Sequence, residues 1–190
     1  FYTTWLDDTL TYSSGFFQNG DETLSEAQIK KFESLITNNL PMSGDKVLEI
    51  GSGWGSFAFY LLNKFPDIQV DTLTISKKQF DYVSEKSKTY GFEKRLNVIY
   101  RDYREHLGQY NRVYSIEMFE AVGRKYWNDY FNKIKECLNK DGRAVIQTII
   151  IGDEFYKKYL RTSDYIRECI FPGGFLPSPS IFNKLSKKHG

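Results

Sequence analysis

The sequence contains few of the residues that build metal centres and disulfide frameworks. It has two cysteines, two histidines and two methionines among 190 residues. Cys137 and Cys169 lie far apart, at neither metal-site nor redox spacing, and we expect both to be reduced thiols in the core of a cytoplasmic protein. His106 and His189 are expected at the surface. No metal site is predicted, because the sequence shows no cluster of metal-ligating residues.

The net charge is small, and the sequence has no long apolar run. The formal net charge is only +2, which gives no indication of a nucleic-acid partner. No stretch approaches the roughly 18 consecutive apolar residues that a membrane-spanning helix needs, and no secretory signal is recognised. The apolar and charged fractions, 41% and 26%, are ordinary for a globular protein. The composition predicts a soluble domain.

Aromatic residues, in contrast, are abundant and make up 17% of the chain. The rings are scattered, so packing in the core is the simplest interpretation, although together they would also suit an apolar substrate channel. The length of 190 residues fits one domain with a full core. The sequence starts at Phe1 and stops at Gly190 within a predicted helix, so we expect it to be part of a longer protein.

Strands and helices alternate along most of the sequence. After a predicted helix at 25–39, capped by Thr23 or Ser25, apolar runs of strand and helix length follow one another. Short apolar strands between helices indicate a mostly parallel, doubly wound α/β sheet. The predicted elements are strands 46–50, 69–74, 96–100, 112–116 and 142–151, and helices 54–65, 77–90 and 124–139.

Several segments should meet at one edge of this sheet, because ligands of doubly wound sheets bind beyond the carboxyl ends of the strands. The helix 25–39 is expected to pack as a lid that brings the loop Tyr12–Gly15 over the same edge. The segments that follow the predicted strands are Gly51–Gly55, Thr74–Gln79, Asp102–Arg104, Glu117–Glu120 and Gln147–Ile149.

The most informative of these segments is Gly51–Gly55, which follows an apolar run. A strand that breaks into alternating glycines before a helix lets the backbone approach a nucleotide-like cofactor. A nicotinamide dinucleotide is one candidate, because Ser56 is small enough to replace a third glycine and Asp71 has the spacing of a ribose-binding acid. S-adenosylmethionine (SAM) is the other candidate, and Asp71 would then be a mid-strand acid. This pattern alone leaves both cofactors open.

A series of further motifs decides between the two cofactors. They are Phe1-Tyr2 with Leu6-Asp7, Tyr12–Gly15, Leu24 with Ala27-Gln28, Val47–Gly55, Thr74–Ser76 with Gln79, Asp102–Arg104, Ser115–Gly123, and Ile170–Gly174 with Leu176–Ser178. In these segments, and in their order, the chain resembles the cyclopropane-fatty-acyl-phospholipid synthase and mycolic acid cyclopropane synthase family of SAM-dependent enzymes. The resemblance implies a Rossmann-like methyltransferase fold, with residues 1–40 as an N-terminal helical lid and residues 41–190 as the SAM-binding domain, truncated at its C-terminus.

The resemblance also implies which residues bind the cofactor. The glycine turn would carry the methionine end of SAM, Thr74 and Gln79 would bind the ribose hydroxyls, and Asp102 would accept from the adenine amine. As bare sequence, the same positions are an ordinary turn, a helix cap and surface residues. The predicted cofactor-binding residues are Tyr12, Ser13, Glu49, Gly51, Ser52, Gly53, Gly55, Thr74, Ile75, Gln79, Asp102 and Tyr103.

The resemblance also implies that a bound bicarbonate ion is the base that removes a proton in the family's reaction. In the family a Cys, a Glu, a His, a Tyr and backbone groups including an Ile hold this ion. Here Ser14 stands at the Cys position and Gln147 at the His position, whereas Glu120 and Ile149 match and the Tyr position lies beyond residue 190. These four residues are the predicted catalytic set, with Glu117 as a helix-dipole partner. Serine and glutamine can bind an oxyanion, but glutamine carries no charge.

The predicted function is addition of a one-carbon unit from SAM across the double bond of an unsaturated phospholipid acyl chain. The product would be a cyclopropane, or a methyl-branched or methylidene chain if the ring does not close, and the loop Ile170–Gly174 would line the acyl channel. Methylation of a small soluble amine or other metabolite, and non-catalytic binding of SAM or lipid, stay open as alternatives. The lipid function predicts a cytoplasmic protein that acts peripherally at the inner membrane surface.

Overall fold

The computed structural model describes residues 2–190, and Phe1, which opens the first family-like segment, lies outside them. Five strands form one sheet in the order β3-β2-β1-β4-β5, and all four neighbouring pairs are parallel. This confirms the predicted parallel, Rossmann-like α/β class. The strands are β1 Lys46–Ile50, β2 Gln69–Thr74, β3 Leu96–Tyr100, β4 Tyr110–Ile116 and β5 Leu138–Gln147.

Helices connect the strands and cover both faces of the sheet. Thr23 caps the first helix: its side chain accepts from the backbone N–H of Glu26, whose carboxylate accepts from the backbone N–H of Thr23. The last helix begins at a proline, whose fixed φ and missing N–H suit the first helical turn. The helices are α1 Leu24–Asn38, α2 Ser56–Lys64, α3 Lys77–Thr89, α4 Trp127–Cys137, α5 Asp153–Tyr159 and α6 Pro179–His189, with a π-helical turn at Ile166–Ile170.

The core consists of two apolar layers, one on each face of the sheet. Val47 and Leu48 are neighbours in β1 but belong to different layers, because successive side chains of a strand point to opposite faces. On one face Phe32 of α1 packs against Phe57 of α2 with ring centroids 5.2 Å apart. On the other face, Phe119 packs against residues of α4 and α6. The helix α1 is thereby fixed to the sheet through the first layer.

Two predicted elements had wrong boundaries at both ends. The last strand runs over Leu138–Gln147 rather than over 142–151, because Leu138 already pairs with Tyr110 of β4, and β4 supplies the last partner at Ile116 and then turns away. The predicted helix 124–139 starts with a separate 3₁₀ turn, so that α4 begins at Trp127, and it ends at Cys137, where β5 follows directly. The side chains of Tyr130, Phe131 and Ile134 in the middle of α4 are buried in the core.

Three predicted exposures were also wrong. Cys169 is exposed, because it lies in the π-helical turn outside both core layers. His106 is buried and shares a 2.7 Å hydrogen bond with the Tyr110 hydroxyl. His189 is buried against the ring of Phe131, with which it stacks. Among residues 2–190, no group of histidine, cysteine and acidic side chains could hold a metal ion, and no helix has the length and apolarity of a membrane span.

Candidate functional site

The carboxyl ends of the strands carry the candidate site. All five predicted segments follow a strand end at this edge, so their predicted convergence is confirmed. The chain crosses over between β1 and β4, which are neighbours in the sheet although β2 and β3 separate them in sequence. In doubly wound sheets the connections diverge at such a crossover and leave a crevice for a ligand.

The glycine turn after β1 borders this crevice. Gly51 has a φ of +95°, and a Cβ at this position would lie 3.1 Å from Cγ of Met118. The backbone N–H groups of Gly51 and Ser52 both donate to the carbonyl of Leu73, which fixes the turn against β2. Gly55 is the N-cap of α2 and offers no side chain, so the first N–H groups of this helix stay free for an anionic group of a ligand.

The larger of two cavities at the edge has a volume of about 450 Å³, which is within the range of small-molecule sites. Its walls come from the ends of β1, β2 and β3 and from the turn after β4, and apolar side chains dominate them. The residues that line it are Ile50, Gly51, Leu73, Thr74, Ile75, Gln79, Arg101, Asp102, Tyr103, Arg104, Met118, Ala121, Val122 and Tyr126.

Thr74 and Gln79 lie together at the end of β2. The Thr74 hydroxyl accepts from the backbone N–H of Ser76 at 3.0 Å and donates to Oε1 of Gln79 at 2.8 Å. Ser76, and not Thr74, is the N-cap of α3. The amide nitrogen of Gln79 remains available to a ligand. Ile75 is exposed at the cavity wall.

Asp102 and Tyr103 form the wall beyond β3. Both carboxylate oxygens of Asp102 bind the guanidinium of Arg104, at 3.0 and 2.6 Å, and this hydrogen-bonded pair lowers the pKa of Asp102. A bound adenine amine would therefore share the carboxylate with an arginine. Burial raises the pKa of Tyr103 to about 12, and its ring packs against Tyr130. Tyr103 thus offers a neutral aromatic surface to the cavity.

The smaller cavity, of about 190 Å³, lies on the other side of the glycine turn. Glu49 borders it at the end of β1 and accepts from the Thr72 hydroxyl at 2.5 Å. Burial raises the pKa of Glu49 to about 8, because the charged form is poorly solvated there. Gly51, Gln79 and Met118 line both cavities, which are therefore adjacent. The predicted cofactor residues at the smaller cavity are Tyr12, Ser13, Glu49, Gly51, Ser52, Gly53 and Gln79.

Two residues of α1 that were not among the predicted site residues hold the loop at Ser13. The amide of Gln28 donates to the Ser13 carbonyl at 2.6 Å. The ammonium group of Lys31 donates to the Ser13 hydroxyl and to Oε1 of Gln28. Burial lowers the pKa of Lys31 to about 8, although attraction to Glu117 and Asp7 opposes the shift. The spacing of 28 and 31 on one helix face was the available signal for this pair.

Ser14 and Gln147 converge on Glu117, which was expected to be a helix-dipole partner. The backbone N–H of Ser14 donates to Oε1 of Glu117 at 3.0 Å, and the Ser14 hydroxyl donates to the same oxygen. The Gln147 amide donates to it as well, at 2.9 Å. The prediction of a helix-dipole partner was wrong, because the carboxylate of Glu117 points to the loop Tyr12–Gly15 and to β5 and not to a helix end.

Glu120 lies one turn further along and binds the segment after β5. The Thr148 hydroxyl donates to its Oε1 at 2.9 Å, and the backbone N–H of Ile149 donates to the same oxygen. The second oxygen, Oε2, is buried and has no hydrogen-bond partner among the described residues. Burial raises the pKa of Glu120. Glu120 does not line either cavity described above.

These contacts do not fit a bound bicarbonate ion. The donors predicted to hold it already serve the protein's own carboxylates, since Ser14 and Gln147 bind Glu117 and the N–H of Ile149 binds Glu120. The buried polar atoms left over in this group are Oε2 of Glu120 and Oε1 of Gln147, and both are acceptors. Two carboxylates with acceptors as their free groups repel an anion.

In the structure, Asp71 is not placed to bind the ribose of a nicotinamide dinucleotide. Asp71 lies in the middle of β2, where it pairs with Leu48 and Asn97 of the neighbouring strands. Its carboxylate accepts from the Tyr110 hydroxyl at 2.6 Å and forms an ion pair with Lys46 at 3.2 Å. Both partners belong to the beginnings of their strands, so Asp71 lies away from the carboxyl edge and cannot bind a ribose there.

Known proteins resemble the chain over its whole length. A sequence profile of the mycolic acid cyclopropane synthetase family matches residues 1–190. The chain is 30% identical to a tuberculostearic acid methyltransferase of Mycobacterium tuberculosis, over 99% of the chain and 45% of that protein. It is 31% identical to the cyclopropane-fatty-acyl-phospholipid synthase of Escherichia coli K12, over 99% of the chain and 47% of that protein.

A solved structure shows the same fold. It is a crystal structure of a mycolic acid cyclopropane synthase complexed with SAH and CTAB, which matches with a TM-score of 0.89 at 27% identity, over 100% of the chain and 69% of that protein. The chain thus spans about half the length of the two curated relatives and about two thirds of this structure. With the SAM-dependent methyltransferase fold and a profile match to all of its residues, the chain belongs to the mycolic acid cyclopropane synthetase family.

Proposed function

We propose that this protein is a SAM-dependent enzyme that transfers a one-carbon unit to the double bond of an unsaturated phospholipid acyl chain. The observation that carries the proposal is the position of Glu117 and Glu120. Glu117 lines the smaller cavity at the glycine turn, and Glu120 binds Thr148 and Ile149 at the start of a segment with an exposed apolar surface. Family membership supports the same reaction class.

The two adjacent cavities fit SAM in size and in chemistry. The 450 Å³ cavity offers aromatic and apolar walls to an adenine ring, with Thr74, Gln79 and Asp102 as polar groups at its border. The 190 Å³ cavity lies beside the free N–H groups of α2, which suit the carboxylate of a methionine moiety, and beside Glu49, which suits its ammonium group. When bound, SAM supplies an electrophilic methyl group.

The residues of the chain prepare this site for an unreactive substrate. An isolated alkene is a poor nucleophile, so it must be held close and in line, in a site without water. Positive charge then develops on the acyl chain, and buried carboxylates stabilise it. The partly buried carboxylates of Glu117 and Glu120 supply the negative charge, and the Ser13 loop, held by α1, covers the edge.

A lipid substrate is supported by the segment after β5. Here apolar side chains are about half exposed or more, among them Ile149, Ile150, Phe155, Ile166 and Phe171. Lys157 and Lys158 are exposed on the same segment and would attract anionic lipid head groups. The segment contacts the site directly, since the backbone N–H of Phe175 donates to the carbonyl of Glu120 at 2.8 Å. This arrangement suits contact with a membrane surface, with the loop Ile170–Gly174 beside the acyl chain.

The test is the fate of a labelled methyl group. The protein is incubated with methyl-labelled SAM and vesicles of unsaturated phospholipid, and the label is measured in the extracted fatty acids. We expect label in the acyl chains, and none when saturated phospholipid replaces the unsaturated one. Binding of SAM without label in any product would favour a binding protein and reject the proposal.

Methylation of a soluble amine is a second candidate that one observation favours. Oε2 of Glu120 and Oε1 of Gln147 are buried acceptors without partners, and the N–H groups of a neutral amine, whose lone pair is free to attack a methyl group, are donors that suit such acceptors. In the same assay, with a cell extract freed of lipid as the substrate source, this candidate predicts label in small molecules. The lipid proposal predicts that the extract stays unlabelled.

A further inference from the structure

We propose that the carboxylate of Glu117 is the base of the reaction, in the place where an external anion would otherwise be needed. This inference rests on the proposed function and names the group that removes the proton. The side chains of Ser14 and Gln147, which were expected to hold bicarbonate, bind a carboxylate that the chain itself supplies.

The hydrogen bonds hold Glu117 in one orientation and leave one of its oxygens for the substrate. The backbone N–H of Ser14, the Ser14 hydroxyl and the Gln147 amide all donate to Oε1. Three donors on one oxygen fix the carboxylate, and Oε2 is left for a ligand. Glu117 also lines the 190 Å³ cavity, next to the glycine turn. A base must reach the proton that it removes, and this position allows it.

Glu120 is the competing carboxylate, and its geometry is less suitable for a base. Its free oxygen, Oε2, is buried, and the residue does not line either cavity. Its other oxygen holds Thr148 and the backbone of Ile149. Glu120 therefore stabilises charge and positions the segment after β5, whereas Glu117 faces the ligand space.

The backbone at Glu117 is strained in a way that indicates a functional position. Its φ is +46°, a left-handed conformation that residues with a Cβ rarely adopt. A glycine would adopt this conformation without strain. A glutamate here therefore lowers the stability of the folded protein, but it places a carboxylate at the strand end. Strain of this kind persists where the surrounding structure fixes it, and the hydrogen bonds to Ser14 and Gln147 do so.

The proton transfer balances without a further reactant. After the alkene carbon has bonded to the methyl carbon, the neighbouring chain carbon lacks an electron pair. Oε2 of Glu117 takes a proton from the new methyl group, and the electrons of the broken C–H bond form the second C–C bond of the ring. The protonated Glu117 then releases this proton to water. Since the electrons of the broken C–S bond stay on the sulfur of the donor, each turnover yields one cyclopropane, one S-adenosylhomocysteine and one proton.

The experiment compares Glu117→Gly with Glu117→Gln in buffer freed of carbon dioxide, with and without added bicarbonate. The glycine variant fits the positive φ of the backbone and leaves the place of the Glu117 carboxylate empty. The glutamine variant fills that place with a neutral amide. Glu93→Gln removes an exposed carboxylate outside the site and is the matched control. Label transfer to phospholipid and binding of ¹³C-bicarbonate, followed by NMR line broadening, are measured for each protein.

We expect the wild type and the control to transfer label without bicarbonate and to bind none of it. Both Glu117 variants should lose activity by about 100-fold or more, and only the glycine variant should bind bicarbonate and regain activity with it. A wild type that needs bicarbonate, or a glycine variant that keeps full activity or fails to bind the ion, overturns the inference. A wild type that labels no lipid rejects the proposed function instead, and bicarbonate binding then still decides what fills the anion position.

Discussion

At the scale of single residues, Glu49 shows how burial prepares a group for a ligand. It is the penultimate residue of β1, 2% exposed, and the hydrogen bond from Thr72 is the polar contact that the structure gives its carboxyl group. With a pKa raised to about 8, the group is mostly protonated at neutral pH. A cation that enters the smaller cavity would favour the ionised form.

The raised pKa of Glu49 predicts a pH dependence of stability. Between about 4.5 and about 8 the folded protein keeps a proton that the unfolded chain releases, so the free energy of unfolding should fall as the pH rises through this window. Glu49→Gln should remove this part of the slope. Urea unfolding of both proteins at several pH values in that window measures it. Identical slopes would show that Glu49 ionises normally in the folded state.

Gly51 is the second residue whose role can be isolated. Gly51→Ala puts a side chain at a φ of +95°, 3.1 Å from Met118 and at the border of both cavities. Gly44→Ala is the matched control, because Gly44 has a φ of +82° with nothing near its Cβ position. Both variants should lose about 1–2 kcal/mol of stability.

The two glycine variants should differ in SAM binding. Calorimetric titration should show a dissociation constant raised about tenfold or more for Gly51→Ala, and an unchanged one for Gly44→Ala. Equal affinities for the two variants would place the cofactor elsewhere.

At the scale of elements, the sequence predicted the five strands and the helices α1 to α4, but it predicted neither α5 nor the turns between elements. Apolar periodicity identifies β1 and α1 to within about two residues. It could not show that the chain turns at Glu117 with a positive φ, because no glycine or asparagine marks that turn. The end of β5 was misplaced for a different reason: the neighbouring strand β4, and not the sequence of β5 itself, fixes that end.

The helix α1 is predicted to control the order of the lid loop. Gln28→Leu removes the donor to the Ser13 carbonyl and one of the two acceptors of Lys31, which keeps the Ser13 hydroxyl, at a cost of about 1–3 kcal/mol. Hydrogen–deuterium exchange of residues 11–17 should become faster, and SAM should bind more weakly. Gln18→Leu, at an exposed position, is the control. Unchanged exchange in the loop would show that other contacts hold it.

At the scale of the whole molecule, the parallel topology explains why the site could be located from the sequence. The carboxyl ends of parallel strands share one edge, so the five segments had to meet there. The contact of Ser14 with Glu117 joins residues 103 positions apart, and no local pattern indicates it. The position of the site thus follows from the fold class, whereas its electrostatics follow from long-range packing.

The apolar surface beyond β5 is predicted to govern access of lipid. Phe171→Asp should reduce label transfer to vesicle phospholipid about tenfold or more, by the loss of apolar contact, and should leave SAM affinity unchanged. Phe171 is 51% exposed. Leu107→Asp is the control, because Leu107 is 82% exposed and lies before β4, towards the opposite edge of the sheet. Equal activity of the two variants would show that lipid enters by another route.

The most direct measurement is the mass of the acyl chains after reaction with SAM whose methyl group carries deuterium in place of hydrogen. Transfer to the double bond followed by proton removal at Glu117 predicts a lipid product that has lost one deuterium from the new carbon. A lipid product that keeps the whole deuterated methyl group contradicts the proton-removal step. Deuterium found in soluble metabolites alone contradicts the assignment of a lipid substrate.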